Sequence, residues 1–510
     1  MIFSDLETLF FANLFPLSIT ADSEDIWTES PYIFRRFNFL VSVPDFQTAI
    51  NSLRFSLTPD DFTLASDYVV FVDVVPQDLE CDQDPGSNIF FSSFAVTSKL
   101  IEIPISGTVT DLIAAGRLLP NSASSSIVER KTIHGVLEIN EDYSFDGAGG
   151  TDLARPKLYL GSGTQILVKS GFSLTLTNAD IFTCDELAQG IVVEPGATLI
   201  MDNCLVSDSR FGIDAQAGST ISVTDNDFAD NYIGARFHMA AAPNRVTINA
   251  FSGNDDGVKT PFSGMPEAVE ARGLCGISVS DYRDFNIYGG NNFSQLANGI
   301  IAQKSSGNLG NMTFSDMNSA GNVYLLEGYG IHLSGKTTQP MFFNINEFWT
   351  SMTFDDCKTG IYAFKHALNV ENVDMTNVGV GIDVTGCQTK DIVLDGNDIT
   401  ARQVGVRSFM CEPVHPISDI RNNTITITDA LTSLNDFTTG IKLDEIGFLQ
   451  FTQAFDESGW EVNNNDITLE EGGRGILYRN GGVGAIRTNN VVNESQPDDY
   501  IGIYTEGTQF

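Results

Sequence analysis

The sequence predicts an all-β chain wound as a solenoid, and three observations predict it. GIVVEPGATLIMDNCLVSDSRF from Gly190 and GIDAQAGSTISVTDNDFADNYI from Gly212 align without a gap, and Gly234 opens a third copy. Glycine followed by a small or branched apolar residue then recurs at Gly257, Gly276, Gly299, Gly330, Gly360, Gly381, Gly405, Gly440, Gly475 and Gly502. Thirteen such anchors imply about a dozen coils, because self-similarity at this period marks a stacked architecture. Within a copy, Thr198-Leu199-Ile200-Met201 and Thr220-Ile221-Ser222-Val223 show strand periodicity between Gly, Asn and Asp punctuation. Strands that recur once per turn with one face inward form parallel sheets, so Leu199 is expected over Ile221 and Met201 over Val223.

Before the coil, residues 1–125 read as a β-rich module or cap. RFNFLVSVPDF, INSLRFSLTPDDFTL and SDYVVFVDVVP alternate between Pro and Asp turns, and residues 88–105 add strand material. Thr108 to Leu119 is the one helix-like stretch. SASSS at Ser122 to Ser126 leads into a linker at 126–135, and the coil is placed at 136–510. LFFANLFPL near the start lies among Asp5 and Glu7 and ahead of any Lys or Arg, so it fails as an export signal, and with Pro16 it is too short to span a membrane.

A second marker accompanies the glycines: Asn, any residue, then an apolar one, at Asn203, Asn226, Asn249, Asn291, Asn397, Asn423, Asn465 and Asn489. Asn tolerates left-handed turns and bonds its own backbone, so a stack of them can form an amide ladder. These residues are read as structural. So are stacked rings such as Phe228 and Phe251 among the 36 Phe. The seven Cys are scattered and read chiefly as small buried hydrophobes rather than a disulfide framework.

These patterns resemble the right-handed parallel β-helix, or pectin-lyase-like, superfamily, over about Val136 to Phe510. VLEINEDYSFDGAGG, the following LYLGSGTQILVKSGFSLTLTNADIFTCDELAQGIVVEPGATLIMDNC, and above all the run from Cys184 to Ile191 are similar to the first coils of exported bacterial surface proteins, many of which leave by the type IX route. The resemblance implies an extracellular or cell-surface location and a truncated or internal start. The separate sorting domain common in such proteins has no counterpart in the sequence. A coil opened at Gly502 is expected to be capped by further chain or by a partner.

The net charge of −38, from 66 acidic and 28 basic residues, disfavours nucleic acid and anionic membranes. A polyanionic uronan is likewise expected to be repelled unless calcium bridges it. Enzymes of the resembled fold work with acidic residues projected from neighbouring coils, which singles out Asp255-Asp256 and Asp355-Asp356. The second pair continues as Asp-Asp-Cys, as in polygalacturonases, but the upstream Asn-Thr-Asp and the later Gly-His-Gly and Arg-Ile-Lys are absent. Both pairs precede a glycine anchor, where turn residues belong. Asp225 and Asp227 are the metal candidates, with Ca²⁺ the only cofactor considered, although no Gly-Gly-x-Gly-x-Asp repeat accompanies them. The five His stand at no metal-ligand spacing.

Interruptions of the period point instead to loops, which in solenoids gather on one face and bind. Thr260 to Leu274 is such an insertion, and Trp349 and Trp460 fall in long intervals where an exposed indole could stack on a sugar. The expected function is therefore a non-catalytic exported or surface protein, a rigid spacer that binds a glycan or a protein. The alternatives are a polysaccharide lyase or glycoside hydrolase, and a phage-type tailspike.

Overall fold

In the computed structural model, the described residues are 9–11, 21–29, 32–39 and 53–55, and then 105–506 apart from 122–129, 148–154, 184–185, 239–244, 247–249, 253–257, 268–271, 318–327, 336–340, 347–351, 388–390, 412–417, 430–437, 445–459, 480–484 and 495–499. The chain divides into two compact units, Met1–Pro104 and Ile105–Phe510. In the first, Ala21–Glu29 pairs antiparallel with Tyr32–Phe39, and Leu9–Phe11 with Leu53–Phe55. The strands expected over 66–76 and 88–104 lie outside the described residues.

The second unit is the coil, and it begins earlier than position 136. Ile105–Thr108 pairs parallel with Arg130–Ile139, a strand that occupies much of the expected linker. Between them the helix Val109–Ala114 is capped by Thr108, whose hydroxyl accepts from the Asp111 N–H, and it buries Val109 and Leu112. Ile105 and Leu118 join the same core. The first rung of a solenoid has nothing beneath it to cover its interior, and this amphipathic segment supplies the cover. Ser122 to Ser126 lies outside the described residues.

Each turn contributes one strand to each of three parallel sheets, with rungs about 4.8 Å apart. The first sheet stacks fourteen strands, from the second half of Arg130–Ile139 through Ala188–Val193 and Ser209–Ala215 to Tyr500–Glu506. In the second, Thr198–Asp202 lies in register with Thr220–Thr224, so Leu199 does pair with Ile221 and Met201 with Val223. In the third, Phe228 pairs with Phe251. Farther along that sheet the rings of Phe293, Phe314 and Phe354 form a column, stacked face to face at 4.7 and 4.8 Å.

The glycine anchors make room for the next rung and for the inward side chains packed against it. A Cβ added at Gly299, Gly330, Gly360, Gly405, Gly440 or Gly475 would lie 2.5–2.9 Å from the carbonyl oxygen of the next glycine along the stack. At Gly330 it would also meet the Phe354 ring, and at Gly360 the Met375 sulfur. The constraint is close approach of backbone and of an inward side chain, because none of these six glycines adopts a positive φ.

The amide ladder is present, one position away from the left-handed turn. Asn422 and Asn464 take φ of 55° and 54°, and the residue after each, Asn423 and Asn465, points inward and is buried. Oδ1 of Asn423 accepts from both the backbone N–H and the Nδ2 of Asn397, and Asn465 and Asn489 repeat the pattern. Asn203 departs from expectation: it is the exposed left-handed residue (φ 51°), and Cys204 fills the inward position. Cys387 and Cys411 follow turns in the same way, and the Cys387 N–H donates to Cys411 Sγ. Burial pushes the Cys204 thiol up to about 11 and that of Cys357 to about 12, so both are inert. Cys81, Cys184 and Asn249 lie outside the described residues.

Candidate functional site

Strand alternation sends every second side chain of the first sheet outward. One outward column runs through Asp214, Arg236, Ser278, Ile301, His332, Tyr362, Asp383, Arg407 and Lys442 on successive rungs. These residues lie far apart in sequence and become neighbours only because the coil stacks them.

The early part of this face is covered. Leu187, Phe211, Tyr232, Ile233 and Cys275 form an apolar cluster outside the coil, against which Val258, Phe262, Met265, Leu274 and Ile301 pack. The Leu187 N–H donates to the Thr260 carbonyl. Lys259 pairs with the buried Asp208 at 3.2 Å, Arg210 with Glu267 at 2.6 Å and Arg272 with Asp316 at 3.1 Å. Burial pushes the Asp208 carboxyl up, and Lys259 pulls partly against that. The described part of the Thr260 to Leu274 insertion is thus a flap on the sheet. Phe262, Met265 and Leu274 are packed against the cluster beneath it.

Beyond the flap the face opens. Tyr329, His332 and Tyr362 have ring centroids 5.1–5.2 Å apart. His332 is only 5% exposed, its Nδ1 has no hydrogen-bond partner among the described residues, and burial lowers its pKa to about 4. It is therefore neutral at pH 7. Burial first and the nearby Asp383 second raise the Tyr329 and Tyr362 phenols, which keep their protons. Asp383 is buried and accepts from Arg407, and that bond holds the guanidinium charged.

A cleft of ≈390 Å³ runs over this stretch, lined by Tyr329, Lys358, Thr359, Asp383, Arg402, Gln403, Arg407 and Asp429 among others. A second of ≈320 Å³, lined by Thr385, Arg407, Phe409, Lys442 and Asp444, meets it at Arg407. Together they hold Lys358, Arg402, Arg407 and Lys442 against Asp383, Asp429 and Asp444. With Asp356 3.9 Å from Arg402, cations and carboxylates balance here, in a chain of net charge −38.

None of the described residues singled out in the sequence lines either cleft. Trp460 is 2% exposed and belongs to the interior core, so its ring cannot stack on a sugar. Asp355 ends the strand Thr353–Asp355 and is exposed. Asp356 occupies a left-handed turn (φ 47°), where Asn377 donates to it and Arg402 lies 3.9 Å away. Asp225 is likewise a left-handed turn residue (φ 53°), and Asp227 begins the next strand, with the buried Asn226 between them. Among the described residues no three His, Cys, Asp or Glu gather as a metal site. Asp255, Asp256 and Trp349 lie outside the described residues. The sequence carries a signal for the outward column: Asp214, Arg236, Ser278, Ile301, His332, Tyr362, Asp383, Arg407 and Lys442 each stand two positions after a glycine anchor.

Residues 164–346 match the family model described as a right-handed β-helix region. With the stacked parallel sheets, this bears out the resemblance to the right-handed parallel β-helix, or pectin-lyase-like, superfamily. A comparison with curated proteins gives no match. Among solved structures, the chain is similar to the periplasmic alginate epimerase AlgG (12% identity, TM-score 0.29, covering 79% of this chain and 83% of that one). It is also similar to the A-module of the Azotobacter vinelandii mannuronan C-5 epimerase AlgE6 (14% identity, TM-score 0.19, covering 74% and 90%). At such scores these two likenesses carry no argument about activity.

Proposed function

We propose that the protein is an exported or cell-surface β-helix that binds a glycan chain in the groove along the outer face of its first sheet. One observation carries the reading: where the flap ends, an open cleft lined by Tyr329, Lys358, Asp383, Arg402 and Arg407 runs over the outer face, with the partly buried Tyr362 ring 5.1 Å from that of Tyr329. Rings offer apolar faces for sugars, and guanidinium and ammonium groups pair with carboxylates, so acidic sugars fit best. Among the described residues no helix is long and apolar enough to cross a membrane. The rigid coil then serves as spacer and binding surface together.

A second reading, a polysaccharide lyase, is favoured by one detail. His332 is held neutral with an unpartnered Nδ1, close to two protonated phenols and within the same outward column as a guanidinium that could neutralise a uronate carboxylate. Affinity electrophoresis against alginate, polygalacturonate and a neutral glucan, with ultraviolet absorbance to detect unsaturated products, separates the readings. Retardation by an acidic glycan that Tyr362→Ala weakens about tenfold is expected. No retardation by any glycan, or full retardation of the variant, would overturn the binding reading. Unsaturated product lost in His332→Gln would replace it with the lyase.

A further inference from the structure

The flap meets the coil through one pair of groups whose chemistry can go beyond an ion pair. Lys259 Nζ lies 3.2 Å from Asp208 Oδ2, one bond away from the carboxyl carbon, and donates to the Thr183 carbonyl at 2.5 Å. The Thr183 N–H and the Ser207 hydroxyl both donate to the same carboxyl, the hydroxyl to Oδ2 at 2.9 Å. Thr183 and Asp208 occupy matching positions on adjacent rungs, since Ile181 pairs with Val206. The Asp208 side chain is 9% exposed and that of Lys259 24%. Val258 and Phe262, on either side of Lys259 along the flap, pack on the apolar cluster.

An ammonium and a carboxylate kept from water lose solvation that their attraction only partly returns. The state with the same number of protons, a carboxylic acid beside a neutral amine, escapes that penalty, and burial does push the Asp208 carboxyl up. A neutral amine is a nucleophile, and a carboxyl group already held by two hydrogen-bond donors is an electrophile whose developing oxyanion is stabilised in advance. The other two pairs between flap and coil, Arg210 with Glu267 and Arg272 with Asp316, have similar distances, but a guanidinium keeps its proton and does not attack.

We propose that Lys259 and Asp208 condense to an intramolecular amide that fastens the flap covalently to the coil. Nζ attacks Cγ, the Nζ–Cγ bond forms and one Cγ–O bond breaks. Two protons leave Nζ and depart with that oxygen as water, so the step balances without an oxidant or a second reactant. Groups fixed in contact react at effective molarities of about 10⁵ M or more, which favours an amide that separate groups in water would not form. The product is uncharged, and the desolvation cost of the ion pair disappears with it. The bond closes the chain between residues 208 and 259, across the rungs that carry Phe211 and Ile233, so the platform stays covered even when the apolar contacts of the flap loosen.

The test is the intact mass of the folded full-length protein, with sequencing of its proteolytic peptides. The wild type is expected to be lighter than its sequence by one water, the loss mapping to a branched peptide that joins Lys259 to Asp208. Lys259→Arg keeps a cation facing Asp208, and Asp208→Ala removes the acceptor; both should show the full sequence mass, and circular dichroism checks that each is folded. Hydrogen exchange over residues 258–267 should be at least about tenfold faster in Lys259→Arg than in the wild type. A wild type that keeps its full sequence mass after prolonged incubation would overturn the bond. So would a water loss that persists in Lys259→Arg, which would mark a succinimide at another Asp. Equal exchange in the two proteins would overturn the fastening role and leave the flap held by its apolar contacts alone.

Discussion

The outer face of the first sheet is two surfaces on one scaffold. Around Phe211 and Ile233 it is an apolar platform closed by Val258, Phe262 and Met265. From Tyr329 to Asp444 it is an open groove of rings and paired charges. The backbone beneath is the same parallel ladder throughout. The difference lies in the outward side chains and in whether an insertion returns to cover them. A solenoid frees its outward positions from the demands of the core, so stability and recognition can be allotted to different rungs.

The sharpest way to break the comparison is a truncation on each side of it. Phe211 is buried outside the coil and packs under two guanidinium groups. Phe211→Ala is expected to cost about 4 kcal/mol in chemical denaturation, with little change in groove binding, because it empties a site the flap has closed. Tyr362→Ala, in the open stretch, should cost less, about 2 kcal/mol, since its ring is only partly buried. Equal destabilisation by the two would show that the groove is as much a packing surface as the platform.

What was legible in the sequence follows from the same division. Gly360 and Asn423 answer a demand that recurs on every rung, room for the neighbouring stack and satisfaction of a buried turn, so residue type itself is periodic. Outward positions are periodic in place only. His332 and Tyr362 read as isolated residues until the register puts them on adjacent rungs. The flap was legible as an interruption, but burial of Phe262 depends on an apolar platform contributed by four separate rungs. Trp460 misled because a long interval suggested a loop, whereas the indole fills the core beside the Ser418 rung. The coil's early start at Ile105 was hidden because a capping helix is set by the end of a repeat and not by its period.

A change of pH sharpens the contrast with an intermediate effect. The His332 pKa falls from an ordinary 6.5 to about 4 in the folded state. Between these values the unfolded chain binds more protons, so stability rises with pH there and is lost as pH falls from 6.5 towards 4. The loss assignable to this group is at most about 3 kcal/mol. His332→Phe should remove that share of the acid sensitivity while keeping a ring between Tyr329 and Tyr362. Denaturation of both proteins at pH 7 and pH 4.5 measures it. An identical acid loss in the variant would mean that His332 is hydrated enough to titrate normally.

The smallest effect concerns how the covered surface stays covered. Arg210 and Glu267 join sheet and flap at 2.6 Å, with side chains 17% and 28% exposed. A pair so placed is screened by water and salt and is worth less than about 1 kcal/mol, well below the contribution of the apolar cluster. Glu267→Gln keeps an acceptor for Arg210 and removes only the charge. Hydrogen exchange over residues 258–267 is therefore expected to change little in this variant and to rise strongly in Phe262→Ala, whose ring lies against Gly163 and within the platform. If Glu267→Gln instead opened the flap as far as Phe262→Ala, and high salt opened the wild type, the cover would be an electrostatic latch. The platform around Phe211 would then count as a second, gated part of the groove.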